Sequence, residues 1–158
     1  MIAIRAVALD VDGVLTDGAF WWGPNGEELK KFSFADVMGI SLARKAGLII
    51  ALISGEDSPL VDRYAAKLGI EDAIKNCKDK AAALRVMAQR HGLREDQICF
   101  MGDDVNDLAA MELAGLAAAP ADARPVVRMR ADYVTSRRGG NGAVRELLDA
   151  ILAAKTAA

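Results

Sequence analysis

The chain has 158 residues, 20 Lys and Arg against 22 Asp and Glu, and a formal net charge of −2. That length suits one compact domain, and the near-neutral balance gives no sign of a polyanion partner such as DNA. At 53% hydrophobic and 27% charged it has the composition of a globular protein. No apolar run approaches the roughly 20 residues of a bilayer span, and only four apolar residues separate Arg5 from Asp10, too few for a signal peptide. These readings predict a cytoplasmic protein without a membrane partner. Cys77 and Cys99 lack metal-type spacing and read as small buried residues of a reducing compartment.

In chain order, IRAVAL predicts a first strand, and it runs straight into DVDGVLTDG. AFWWGPNGEELKKFSF places aromatic and apolar residues around a Gly-Pro-Asn-Gly turn, the pattern of a β-hairpin within about residues 17–34. Trp21 and Trp22 are adjacent, so in a strand they face opposite sides; one is expected to pack inward. VMGISLARKAG has helical spacing and ends at Gly47, while LIIALIS reads as a strand buried on both faces. SPLVDRYAAKLG is a helix with Ser58 as N-cap, Pro59 first and Gly69 last. DKAAALRVMAQRHG is another, capped by Asp79. Then follow strand QICFMG, helix DLAAMELAG, strand LAAAP, short helix ADARPVVRMR, strand DYVTS and the closing helix GNGAVRELLDAILAAK.

The alternation predicts an α/β fold with a Rossmann-like parallel sheet and helices on both faces, spanning residues 1–158 as a single domain. Ligands of such sheets bind outside the carboxyl ends of the strands. The residues there are Asp10 and Asp12, then Ser54 and Gly55, then Gly102, Asp103 and Asp104, with Lys80 opening a helix. Gathered carboxylates repel one another unless a cation neutralises them, and an all-oxygen set favours Mg²⁺. A carboxylate nucleophile, a second carboxyl as acid and base, a metal and a lysine are the parts of phosphoryl transfer.

DVDGVLTDG, LISG, Lys80 and GDDVND occur in the order of the four motifs of the haloacid dehalogenase superfamily, which the chain resembles. The short length, the hairpin and the ending RRGGNGAVREL are similar to its capless branch, that of sugar-acid phosphatases. The resemblance implies Asp10 as nucleophile and metal ligand, and Asp12 as acid/base with its main-chain carbonyl on the metal. It implies Ser54 and Lys80 as phosphate ligands, Asp103 as a metal ligand, and Asp104 and Asp107 as groups orienting the metal waters and Lys80. Its substrate would be a small-molecule phosphate of a 2-keto-3-deoxy sugar acid with eight or nine carbons, cleaved through an aspartyl phosphate. Gly55, Glu56, Lys67, Arg137 and Arg138 are the implied substrate contacts, and a homotetramer built on the hairpin is the implied assembly. Glu56 stands where the eight-carbon enzymes have Arg; Glu accepts hydrogen bonds from hydroxyls and Arg prefers a carboxylate, which tilts the reading to nine carbons. Val37 and Tyr64 depart from the branch's usual Gly and Arg.

Blander readings stand beside these. An Asp pair is a common turn, Ser54 fits a helix N-cap, and Glu56 and Lys67 fit a solvated surface. His91, at a helix end, reads as a cation on the helix dipole without a catalytic role. A non-catalytic assembly module linked to a cytidylyltransferase, a phosphatase for another small ester, and a phospho-receiver domain are the competing functions. In receivers, however, the paired acids follow the first strand and the phosphorylated Asp a central one.

Overall fold

The computed structural model describes Met1 and residues 3–157. Strands β1 (Ala6–Leu9), β4 (Ile49–Ile53), β5 (Asp72–Ile74), β6 (Ile98–Met101), β7 (Leu116–Ala119) and β8 (Tyr133–Val134) form one parallel sheet. Its order is β5-β4-β1-β6-β7-β8. Strands β2 (Trp21–Trp22) and β3 (Glu28–Leu29) pair antiparallel as a separate hairpin.

β1 sits at the centre, and its residues show how the layers form. Successive side chains alternate between faces. Val7 and Leu9 join a cluster with α1 (Phe34–Lys45), α2 (Pro59–Leu68) and α6 (Ala143–Thr156), through Ile40, Val61 and Leu147. Ala6 and Ala8 face α3 (Lys80–Arg90), α4 (Leu108–Leu113) and α5 (Pro125–Arg130), through Leu84, Met111 and Val127. Five strand alanines on the second face, Ala6, Ala8, Ala51, Ala117 and Ala119, leave room for Phe100 and Met87. With both faces covered, the strands read as continuous apolar runs.

The caps follow the expected chemistry. Ser58 Oγ accepts from Leu60 N, and Asp79 Oδ1 accepts from Ala82 N, which fixes where Lys80 enters its helix. Gly69 adopts φ 63°, the left-handed conformation that ends α2. Four expectations change. α1 starts at Phe34, because Ser33 Oγ accepts from Ala35 N and caps it three residues before the periodic pattern begins. β5 is a strand the periodicity missed, being three residues long and opening on a buried aspartate. Neither Trp21 nor Trp22 packs inward; they are 65% and 72% exposed, since the hairpin stands away from the sheet. Cys99 is buried as expected, but Cys77 is only half-buried.

Asp72 accounts for the histidine at the end of α3. Its Oδ2 lies 2.6 Å from His91 Nε2, and its Oδ1 accepts from Arg90. Both oxygens of a carboxylate 3% exposed are thereby held by the end of the helix that carries Lys80 at its start.

Candidate active site

Asp10 is the first residue past β1, and its main-chain N–H donates to Met101 O, so the sheet ladder runs up to it. The turn that follows is held by Thr16, whose buried hydroxyl accepts from Gly13 N and Gly18 N. Gly13 has φ 93°, and a Cβ there would sit 2.1 Å from Asp103 Oδ2. Only glycine lets the β1 turn approach the β6 exit this closely. The Gly139–Gly140 loop lies against the same turn: Gly140 N donates to Val14 O, and a Cβ on Gly139 would meet Gly13 O at 1.9 Å.

Lys80 closes the site from the other side. Its Nζ donates to Asp10 Oδ1 at 2.7 Å and to Asp107 Oδ1 at 2.6 Å, with its side chain 2% exposed. Asp107 Oδ2 accepts from the main-chain N–H groups of Asp103 and Asp104. Asp107 therefore orients Lys80 and shapes the β6 exit at once. Carboxylate oxygens of Asp10, Asp103 and Asp107 lie within 4.8 Å of one another.

Two buried carboxylates, Asp10 and Asp107, a half-buried one, Asp103, and one ammonium leave negative charge in excess. Burial, and then the neighbouring Asp107, push the Asp10 carboxyl well above its ordinary range, against the pull of Lys80. The same two causes push Asp103 up to about 6. For Lys80, burial works against the charge, but Asp10 and Asp107 outweigh it and its pKa rises. Crowded hard oxygens whose ionisation is penalised are the donor set that a divalent cation such as Mg²⁺ relieves.

The site opens into a polar cleft of about 630 Å³. Asp10, Asp12, Gly55, Glu56, Lys80, Asp103 and Asp104 line it. Ser54 lies buried beneath, its Oγ accepting from Glu56 N, so it turns the β4 exit rather than capping a helix. Asp104 does not reach Lys80. It accepts from Val105 N at 2.7 Å, and its Oδ2 accepts from Arg124 Nε at 3.2 Å. Lys67, Arg137 and Arg138 do not line the cleft. Lys67 is exposed, 6.0 Å from the Phe34 ring, on a neighbouring apolar cleft of about 320 Å³ with Phe32, Val37 and Tyr64. Val37 and Tyr64, the two departures from the branch pattern, thus share one wall.

Sequence reasoning missed Asn106, Asp122 and Arg124, which line the cleft, and Lys30. Asn106 stands in a short 3-10 turn after β6, and Asp122 and Arg124 follow β7, where a rule about strand exits applied residue by residue finds them just past Pro120. Lys30 carried no such signal. Its Nζ donates to Asp12 Oδ1 at 2.7 Å from the base of the hairpin, one residue past β3.

A family model for haloacid dehalogenase-like hydrolases matches residues 67–147. The 3-deoxy-D-manno-octulosonate 8-phosphate phosphatase KdsC of Escherichia coli is 41% identical over 152 residues, covering 96% of this chain and 81% of that enzyme. The chain is a haloacid dehalogenase-like hydrolase. The KdsC of Haemophilus influenzae is 40% identical, with 96% of this chain and 84% of that one covered. Among solved structures, a Moraxella catarrhalis octulosonate phosphatase in complex with magnesium, phosphate and KDO superposes with a TM-score of 0.95. It is 37% identical and covers 98% of this chain and 89% of its own. A cobalt-bound octulosonate phosphatase of Haemophilus influenzae gives 0.94 at 39% identity, covering 98% and 90%. The parallel sheet and hairpin are those of this hydrolase family, and the enzyme class is phosphoric monoester hydrolase. Among the described residues no helix is long and apolar enough to cross a membrane.

Proposed function

We propose that this hydrolase cleaves the phosphomonoester of a 2-keto-3-deoxy sugar acid, the eight-carbon octulosonate 8-phosphate, with Mg²⁺ as cofactor. The observation that carries the reading is the Lys80 clamp on Asp10 and Asp107 beside Asp103, set in a polar cleft. Relatives that share about two-fifths of the sequence are octulosonate phosphatases, which moves the weight from nine carbons to eight despite Glu56.

Asp10 is the nucleophile. It attacks phosphorus, the bond to the leaving oxygen breaks, and the phosphoryl group rests on Asp10 as an aspartyl phosphate. Asp12 gives its proton to the leaving alkoxide and then takes one from the water that hydrolyses the intermediate. Ser54 and Lys80 hold phosphoryl oxygens, and Asp107 keeps Lys80 in place. Asp10, Asp103 and the Asp12 carbonyl would hold the metal; when bound, it neutralises the carboxylates and the charge that develops on the phosphoryl group.

Gly55 and Glu56 present the leaving group's side of the cleft. Lys67, Arg137 and Arg138 are assigned to substrate only across a subunit boundary, since none of them lines the cleft of its own chain. A homotetramer through the hairpin supplies that boundary. Phe20, Trp21, Trp22, Leu29 and Phe34 support it, being 49 to 82% exposed together on one small element and the helix start after it. A cytoplasmic location accompanies the reading.

Phosphate release is measured from octulosonate 8-phosphate, nononate 9-phosphate and neuraminate 9-phosphate, with and without Mg²⁺. The expected result is Mg²⁺-dependent release with the eight-carbon ester preferred. Preference for a nine-carbon ester returns specificity to Glu56. Release that persists after chelation sinks the mechanism.

A further inference from the structure

We propose that Lys30 is a positioning residue for proton transfer: it holds Oδ1 of Asp12 so that the proton delivered to the leaving group is carried on Oδ2. The inference rests on the assignment of Asp12 as the acid and base.

The geometry is specific. Lys30 stands one residue past β3, and its Nζ is 2.7 Å from Asp12 Oδ1. A second contact, to Glu28 Oε1, is longer at 3.4 Å. The Lys30 side chain is 4% exposed, while that of Asp12 is 30% exposed. An ammonium so enclosed has little choice of partner, whereas the partly exposed Asp12 side chain lines the cleft. Oxygen Oδ1 accepts from an ammonium that cannot accept a proton in return. A neutral Asp12 therefore places its hydrogen on Oδ2, and the carboxyl group is kept from rotating. When the bond from phosphorus to the leaving oxygen breaks, its electron pair goes to that oxygen, which takes the proton from Oδ2. Asp12 ends the step as a carboxylate still held by Lys30.

The hairpin thereby reaches the chemistry. Lys31 Nζ also donates to Asn141 Oδ1 at 3.2 Å, beside the Gly139–Gly140 loop that packs on the Asp12 turn. Consecutive lysines tie the base of the hairpin to two sides of that turn.

The test separates positioning from general damage through the leaving group. An aryl phosphate departs without a proton donor, while an alkyl phosphate needs one. Single-turnover cleavage of 4-nitrophenyl phosphate and of glycerol 2-phosphate is measured for the wild-type protein, Lys30→Met, Lys30→Arg, Glu28→Gln and Asp12→Asn, all in Mg²⁺. Neither ester carries a carboxylate, so lost sugar-acid recognition cannot imitate the result. Lys30→Met is expected to slow the alkyl ester about 10²-fold and the aryl ester less than about threefold. Lys30→Arg keeps the charge and shows the same selectivity at smaller size. Glu28→Gln leaves the ratio within about twofold.

Equal loss on both esters, or no loss on either, overturns the proposal. If Lys30→Met does not fold, as judged by circular dichroism, the Lys30→Arg ratio decides by the same criterion. Asp12→Asn distinguishes the two layers. If it is selective for the alkyl ester and the Lys30 variants are not, only the positioning role falls. If it is not selective, the assignment of Asp12 falls and takes the positioning role with it.

Discussion

Helix α3 and the hairpin each supply one lysine to one aspartate of the Asp10–Asp12 pair, and they do so by opposite means. Lys80 arrives on a helix whose start is fixed by the Asp79 cap and whose end is fixed on Asp72 by Arg90 and His91. Lys30 arrives on a two-stranded hairpin whose aromatic residues lie in solvent. The first lysine is locked by the core of its own chain. The second depends on an element that a two-stranded ribbon alone stabilises only marginally. Attack by the nucleophile and protonation of the leaving oxygen belong to the same phosphoryl transfer, so two supports of unlike construction have to be in register for one step.

The largest effect expected at the sheet edge is that of Asp10→Asn. On the proposed mechanism it removes the attacking oxygen and is expected to lower kcat by about 10⁴-fold or more, read as phosphate release and as loss of a trappable phosphoenzyme. Retained phosphoenzyme would move the nucleophile elsewhere and dissolve the contrast between the two lysines. Lys80→Met comes next. It leaves Asp10 and Asp107, 6% and 0% exposed, without their shared cation. Removing one partner of a buried ion pair costs about 3–5 kcal/mol, read in urea unfolding of the metal-free protein. The matching change at Lys30 faces a more exposed Asp12 and costs about 1 kcal/mol or less. Equal costs would show that the hairpin is as firmly built into the core as α3.

Metal removal sharpens the same contrast through pH. Asp103 titrates near 6 and Asp10 well above its ordinary range, both above their unfolded values, because of burial and the neighbouring Asp107. Between about pH 4 and about pH 6 the folded, metal-free protein therefore binds more protons than the unfolded chain, and its stability falls as pH rises through that window. Glu146 acts with the opposite sign at lower pH: despite the cost of burial, hydrogen bonds from Ser136 and Arg137 lower its pKa. Mg²⁺ held by these carboxylates, as proposed, would favour their ionised forms and offset the loss, so its stabilising effect would grow with pH. Thermal melts in chelator and in excess Mg²⁺, from about pH 4.5 to about pH 7.5, should diverge with rising pH. A constant gap would mean that the acidic cluster is not the metal site.

These expectations draw on parts of the molecule that were unequally legible in the sequence. The parallel sheet could be read because LIIALIS and QICFMG are apolar throughout, and the cleft could be read because aspartates and a serine sit at strand exits. Asp10, Asp103 and Lys80 meet because those exits share one edge. β5 escaped, being held by three register pairs with β4 and opening on Asp72, a residue that propensity places in loops. Ser33 escaped because Phe34, which it caps into the helix, is 82% exposed and breaks the apolar stripe. The Lys30–Asp12 pair escaped for a different reason. Eighteen residues and a hairpin separate the two, and the reach of a lysine across such a loop is set by the turn geometry of Gly23 to Gly26 rather than by any period.

The smallest effect expected on the chain itself is also the one that decides what the hairpin is for. Trp21 and Trp22 are largely exposed, and Trp22 Nε1 donates to Glu28 Oε2 at 3.2 Å within the hairpin. Replacing both by serine removes little packing from the single chain, so the unfolding free energy of an isolated subunit should change by only about 0.5 kcal/mol. If four chains meet through these rings, the same double variant should sediment as a monomer. The melting temperature of the wild-type protein should then rise with concentration while that of the variant does not, because association stabilises by mass action. The selectivity between alkyl and aryl esters links this back to Lys30. A monomeric variant that loses alkyl-ester cleavage alone would place the hold on Asp12 under the control of assembly. A monomer that keeps the wild-type ratio would show that the hairpin fixes Lys30 unaided, and that its exposed aromatic residues serve association rather than proton transfer.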